Sequence, residues 1–178
     1  MVLLLPLISP PSSEVELVAL VGTHVPLGGL PHGRELECVR AVGLGLDLTR
    51  RGKQSELKKG GLPWTVSKSF AGAAVLSPFV AVGGAARGGA RLEHADLGTI
   101  AFELGVNGDV RQTGHVDRML FPLPFQLRHV NSLVPLLPGD LFFTGTPEGV
   151  GPIKRGDKFE MRFLGPTAVE HLRFEGEL

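Results

Sequence analysis

Glu14 and Glu16 stand two residues apart at the head of the run Glu14 to Val21 (EVELVALV). In an extended chain, residues two apart face the same side with Cα atoms roughly 6.5 Å apart, so both carboxylates can lean toward one point. Like charges so placed repel, and burial adds a desolvation cost unless a cation sits between them. Hard oxygen donors suit Mg²⁺, with Mn²⁺ and Ca²⁺ as further candidates. A half-exposed strand with a wet glutamate face fits the same spacing. Asp47 closes the next apolar run and offers a third ligand, although an aspartate ahead of a helix is also a routine cap. Arg51 and Gln54 follow it on the first turns of an expected helix. Lys68 lies in Gly61 to Phe70 (GLPWTVSKSF); beside a metal-bound anion it would bind substrate or steer proton transfer, and alone it is a solvated charge. The turn Thr144-Gly145-Thr146-Pro147, with Gly149 and Gly151 behind it, offers hydroxyls and N–H groups able to grip a carboxylate, or serves only to end a strand.

These residues need elements to hold them, and the pattern supplies mostly strands. Apolar or alternating runs predict strands over Glu14 to Val21, Val39 to Leu46, Val75 to Val82, Thr99 to Val106, Asp140 to Thr144, Phe159 to Phe163 and Val169 to Phe174. The opening Met1 to Ile8 (MVLLLPLI) reads as a further strand, being too short, too Pro-interrupted and too poor in basic residues for a membrane helix or a signal peptide. Asn107-Gly108 marks a hairpin returning through Asp109 to Gln112. Thr49 stands where a helix cap would, ahead of a short helix that ends at Gly60-Gly61. Pro122 or Pro124 opens a second helix with Leu127, Val130 and Val134 as its apolar face and Pro138-Gly139 as its stop. Leu27 to Gly33 and the Gly/Ala-rich Gly83 to Ala90 read as loops. The expected class is mostly β with flanking helices, α+β, as one domain over residues 1–178.

Composition narrows the partners. Lys plus Arg and Asp plus Glu both number 18, so no excess charge marks a nucleic-acid or membrane-surface partner, and a small polar ligand is expected. The lone Cys38 permits no internal disulfide and reads as a buried thiol, which a reducing compartment allows. With 25 Gly and 14 Pro spread without a period, many tight turns must separate short strands.

Taken together, these segments resemble the fumarylacetoacetate hydrolase family. Its Glu-x-Glu strand and downstream Asp match Glu14, Glu16 and Asp47; its Arg and Gln four and seven residues on match Arg51 and Gln54; its Lys in a G/S-K-S-F segment matches Lys68. Its most recognisable run stands here in full as Pro138 to Pro152 (PGDLFFTGTPEGVGP). Lys58 to Phe70 and the hairpin Val106 to Gln112 (VNGDVRQ) are most similar to the small acylpyruvate hydrolases that also decarboxylate oxaloacetate. The resemblance implies a mixed β-roll or β-sandwich-like fold, a homodimer, Mg²⁺ on the triad, and an oxoacid substrate lined by Arg51, Gln54, Lys68 and Thr146. Lys68 and Gln54 are the residues expected to take part in the chemistry.

The family also places a water-activating His/Glu pair on an N-terminal lid, and no such pair precedes Glu14, so the chain is expected to be truncated at its N-terminus. Of His24, His32, His94, His115, His129 and His171, only His32, in the loop after the Glu-x-Glu strand, is a nominee for that base. Ser12-Ser13 replaces a family His before the first Glu, and Gly52 stands where many members carry an acid. The leading expectation is a Mg²⁺-dependent C–C hydrolase or decarboxylase acting on acylpyruvates or oxaloacetate-like acids, cytoplasmic or mitochondrial. The alternatives are a 2-hydroxyhepta-2,4-diene-1,7-dioate isomerase or decarboxylase, and a non-catalytic metal- and oxoacid-binding remnant without the lid.

Overall fold

The structure, a computed structural model, describes residues 10–84, 91–165 and 170–178. The expected strand at Met1 to Ile8, most of the Gly/Ala-rich loop and Val169 lie outside the described residues. A first sheet is built on two long strands, β1 (Ser12–Val21) and β2 (Val39–Thr49), paired antiparallel along their whole length. β3 (Ala74–Val82) flanks β2, and the two-residue β4 (Arg91–Leu92) runs parallel to β3. The other edge of β1 is shared by two short strands: β7 (Leu141–Phe143) pairs near its end and β8 (Gly151–Pro152) near its beginning. The second sheet, in the order β10-β9-β5-β6, comprises β5 (Ala101–Val106), β6 (Asp109–His115), β9 (Lys158–Leu164) and β10 (Glu170–Glu177).

The sequence pattern explains how the sheets meet. In β9, Phe159, Met161 and Phe163 are buried while the residues between them are half-buried or exposed, the period of a strand with one face on a core. β5 contributes Phe102, Leu104 and Val106 in the same way, and β1 and β2 add Val15, Leu17, Leu44 and Leu46 to one continuous apolar cluster. This is the mostly β, α+β arrangement that the pattern predicts.

The helices depart from expectation in instructive places. α1 (Arg51–Lys59) begins one residue after Arg50, and Thr49 belongs to β2. Strand pairing with Ser12 carries β2 through Thr49, and its hydroxyl goes to Glu14 instead of capping the helix. α2 (Leu123–Asn131) does begin beside Pro122, but it stops at Asn131. Its buried face is Leu123, Leu127 and Asn131, and Val134 is exposed. The Asn131 carboxamide holds the loop after β1, accepting from Leu30 N at 3.1 Å and donating to Pro26 O at 3.0 Å. Beyond it the chain turns back so that Leu136 can bridge Val25.

The hairpin at Asn107-Gly108 forms as expected. Asn107 has φ 54 and Gly108 φ 90, the left-handed pair that joins strands through two residues. Asn107 also accepts from Lys158 N and donates to Asp157 Oδ1, both at 3.0 Å. Replacing Asn107 by Ala should therefore lower the unfolding free energy by roughly 1–3 kcal/mol, and Asn107→Gly should lose about 1 kcal/mol less because glycine adopts this φ without strain. Urea unfolding of both variants checks this; equal losses would show that conformational strain plays no part.

Candidate functional site

The register of β1 on β2 sets Glu14 directly opposite Asp47. Cross-strand partners share a face, and Glu16 joins them by the two-residue period of β1. One carboxylate oxygen from each of Glu14, Glu16 and Asp47 lies within 4.8 Å of the others. Glu14 is 8% and Glu16 5% exposed, so this is no wet glutamate face. Three acids are held together where water cannot screen them well.

Two cations answer them. Lys68 Nζ donates to Glu14 Oε2 at 2.8 Å and to Asp47 Oδ2 at 2.6 Å. The single 3-10 turn Thr65–Ser67 aims it: Lys68 N donates to Thr65 O at 2.9 Å, and Ser67 O accepts from Arg50 N at 3.0 Å, tying the turn to the end of β2. Arg51, the first residue of α1, pairs with Glu14 Oε1 and donates to Gln54 Oε1 at 2.8 Å. Gln54 is the buried residue of that helix. Thr49 adds its hydroxyl to Glu14 at 3.2 Å.

The acids consequently differ. Burial alone would raise the Glu14 pKa, but Lys68 and Arg51 hold it below the ordinary value. Asp47 is raised by burial, only partly offset by Lys68. Burial opposes the charge on Lys68, yet its bonds to Asp47 and Glu14 raise its pKa, so it stays an ammonium. Glu16 is pushed up to about 7, by burial first and then by Asp47 and Glu14, against the Gly145 N–H that donates to it at 2.6 Å. Three ionised carboxylates against two contacting cations leave one negative charge in excess. An all-oxygen, partly buried, anionic cluster fits a hard divalent ion such as Mg²⁺ or Mn²⁺, and Glu14, Glu16 and Asp47 would hold it.

Thr146 joins through its backbone neighbours. Its hydroxyl donates to Val15 O at 2.9 Å and accepts from Gln112 Nε2 at 2.8 Å, which leaves no hydroxyl proton for a ligand. The TGTP turn does grip a carboxylate as its sequence suggested, but the one it grips is Glu16. A cleft of about 490 Å³ opens beside that turn, bounded by Gly145, Thr146, His115, Arg118 and Phe121. A larger cleft, about 790 Å³, is lined by Cys38, Arg40, Phe79 and His94 and touches none of the acids; the chemistry, and not the volume, marks the site. His32 is exposed and is not part of the cluster. Two contributors escape a motif search. Thr49 was legible only as a cap, and Gln112 only as a hairpin residue, although a polar side chain on an inward position of a strand is a signal.

Because Glu16 in the folded protein binds its proton more tightly than an ordinary glutamate, whose pKa is 4.5, its contribution to stability is complete below that value and is lost as pH rises through about 7. In metal-free protein, Glu16→Gln should gain on the order of 3 kcal/mol over the parent at about pH 8 and almost nothing at about pH 4.5. Urea unfolding in chelator at both pH values measures it. A difference that does not grow with pH would mean that Glu16 is not penalised for its charge.

The family model for the fumarylacetoacetate (FAA) hydrolase C-terminal region matches residues 5–178. The mouse protein named oxaloacetate tautomerase FAHD1, mitochondrial, is 37% identical over 162 residues, which cover 91% of this chain and 67% of that protein. The crystal structure of a yeast fumarylacetoacetate hydrolase family protein matches with a TM-score of 0.84 and 31% identity, covering 98% of this chain and 70% of the other. Fumarylpyruvate hydrolase from Pseudomonas aeruginosa, crystallised with Mn²⁺ and pyruvate, matches with a TM-score of 0.73 and 29% identity over 93% of this chain and 66% of that one. This chain thus spans about two thirds of the length of such relatives. Family model, sequence and fold agree, and the chain belongs to the fumarylacetoacetate hydrolase family.

Proposed function

We propose that this chain carries the metal and substrate groups of an enzyme acting on short 2-oxoacids, a divalent-metal-dependent C–C hydrolase or decarboxylase for acylpyruvates or oxaloacetate-like acids. The observation that carries the reading is the triad of buried Glu14 and Glu16 with half-buried Asp47, whose three charges two cations do not fully match. The Mn²⁺ and pyruvate in the Pseudomonas relative support the same class of cation and ligand. A bound divalent ion would supply Lewis-acid polarisation of a carbonyl and stabilise negative charge developing on its oxygen.

The chain's own residues supply the rest. Lys68, kept protonated by two carboxylates, offers a fixed positive charge and a proton beside the place where a 2-oxoacid would sit. Arg51 shares Glu14 with Lys68 and is itself steadied by Gln54, so its remaining N–H groups are preorganised for a carboxylate. Loss of CO₂ and C–C hydrolysis both leave an electron pair that a proton must take up, and Lys68 is the donor placed for it. Hydrolysis needs an activated water as well, and among the described residues no histidine joins the cluster. Loss of CO₂ needs no such water, so decarboxylation of an oxaloacetate-like acid asks least of the residues described. Exposed Leu120, Phe121 and Phe125, beside the cleft at the TGTP turn, form an apolar patch that supports a homodimer.

Mg²⁺-dependent loss of oxaloacetate, followed by absorbance, should be measurable and should vanish in chelator. Asp47→Asn should retain the fold by circular dichroism while weakening Mg²⁺ binding by at least about 100-fold, beyond what an outer-shell change usually does. Unchanged Mg²⁺ affinity in that variant would sink the metal reading. Triad-dependent binding of metal and oxoacid without any turnover would instead favour the non-catalytic alternative. Activity confined to dienedioates would favour the isomerase.

A further inference from the structure

The edge of β1 opposite β2 has a break in it. β8 pairs with Ser12 and Ser13, and β7 with Val18 to Leu20, so among the described residues no strand pairs with this edge of β1 at Val15, the residue between Glu14 and Glu16. A backbone N–H and C=O left open in such a place would be free to shift, and the two glutamates would shift with them. Both groups are nevertheless satisfied, by side chains: Val15 N donates to Gln112 Oε1 at 3.0 Å, and Val15 O accepts from Thr146 Oγ1 at 2.9 Å.

Gln112 belongs to β6, in the other sheet, and is 2% exposed. Its N–H₂ group donates to Thr146 Oγ1 at 2.8 Å and to Pro147 O at 3.0 Å, with a longer contact to Glu148 O at 3.5 Å. Only one orientation of the carboxamide works. Turned over, it would set its N–H₂ against the Val15 N–H and its oxygen against the Pro147 carbonyl. The turn it holds is the one whose Gly145 N–H grips Glu16. Gly149, at φ 94, lets the same segment lie on β6, since a Cβ there would collide with the carbonyl oxygen of Arg111.

We propose that Gln112 is the positioning residue of the carboxylate site. Its carboxamide stands in for the missing strand at Val15 and locks the Thr144–Glu148 turn against β1, fixing Glu14 and Glu16 relative to each other and to the Gly145 N–H. It touches neither ligand oxygens nor substrate and acts through Val15 and Thr146. The inference rests on the metal reading above only for what the geometry is for; the clamp itself is independent of it.

Mn²⁺ titration calorimetry on the unmodified chain, Gln112→Met and Leu127→Ala tests this, alongside thermal melts and backbone amide exchange. Met keeps the length of Gln and loses the donors and acceptor. Leu127, fully buried on α2 and outside β1, β6 and the Thr144–Glu148 turn, is a control for general destabilisation. Gln112→Met should weaken Mn²⁺ binding at least about tenfold, with faster exchange at Val15 and Gly145. Leu127→Ala should lower the melting temperature as much or more yet keep Mn²⁺ affinity within about twofold. Wild-type affinity in Gln112→Met, or an equal loss in Leu127→Ala, overturns the proposal. If Gln112→Met does not fold, exchange in the unmodified protein decides: a Val15 amide as protected as that of Val18, which pairs with Gly43 of β2, supports the clamp, and one exchanging like an open strand edge overturns it. Absence of Mn²⁺ binding in the unmodified chain would remove the metal reading, while Val15 exchange would still decide the clamp.

Discussion

Three carboxylates placed within 4.8 Å of one another repel, and in a half-dry setting that repulsion is poorly screened. Every nearby element answers it. The β1/β2 register creates the crowding by opposing Glu14 to Asp47. The short turn before Lys68 and the first residue of α1 bring in the compensating cations, and the TGTP turn contributes a backbone N–H to Glu16. The compensation stops short of neutrality. Once Glu16 ionises, above about pH 7, one charge stands unmatched, and the metal-free fold gives up stability that a cation would restore.

Division of labour follows from that incomplete balance. Glu14, with two cations on it, stays ionised; Glu16, with one N–H, holds a proton near neutrality. On the proposed metal reading, the cluster would exchange a proton for a metal at a single position, and Glu16 would link metal uptake to pH. Lys68 balances two of the acids from one place, and a lysine suits that place better than another arginine because its compact ammonium bridges two carboxylates without the spread of a guanidinium.

Much of this was legible in the residues. Period-two alternation placed the strands and Asn-Gly placed the hairpin, while the family resemblance named Glu14, Glu16, Asp47, Arg51, Gln54 and Lys68 together where spacing alone left a wet glutamate face, a helix cap and a solvated lysine open. What the sequence hid were contacts made across long separations by ordinary residues. Thr49 read as a cap because its neighbours are helical, whereas strand pairing and a carboxylate claim it. Val134 read as core because the apolar period continues past Asn131, whereas tertiary bonds from that asparagine end the helix. Gln112 carried no motif; its meaning depends on a gap in another sheet, 97 residues away in the chain from its partner Val15.

That gap also bears on how the chain behaves among its own copies. β1 is long and apolar, the kind of segment whose unpaired backbone would recruit a strand from a neighbouring molecule. Plugging its open stretch with a glutamine and a threonine removes the template without adding a strand that would bury the glutamates' side of the sheet. The same two side chains that steady the acids therefore act as a guard against intermolecular strand addition, and solubility and site geometry become hard to change separately.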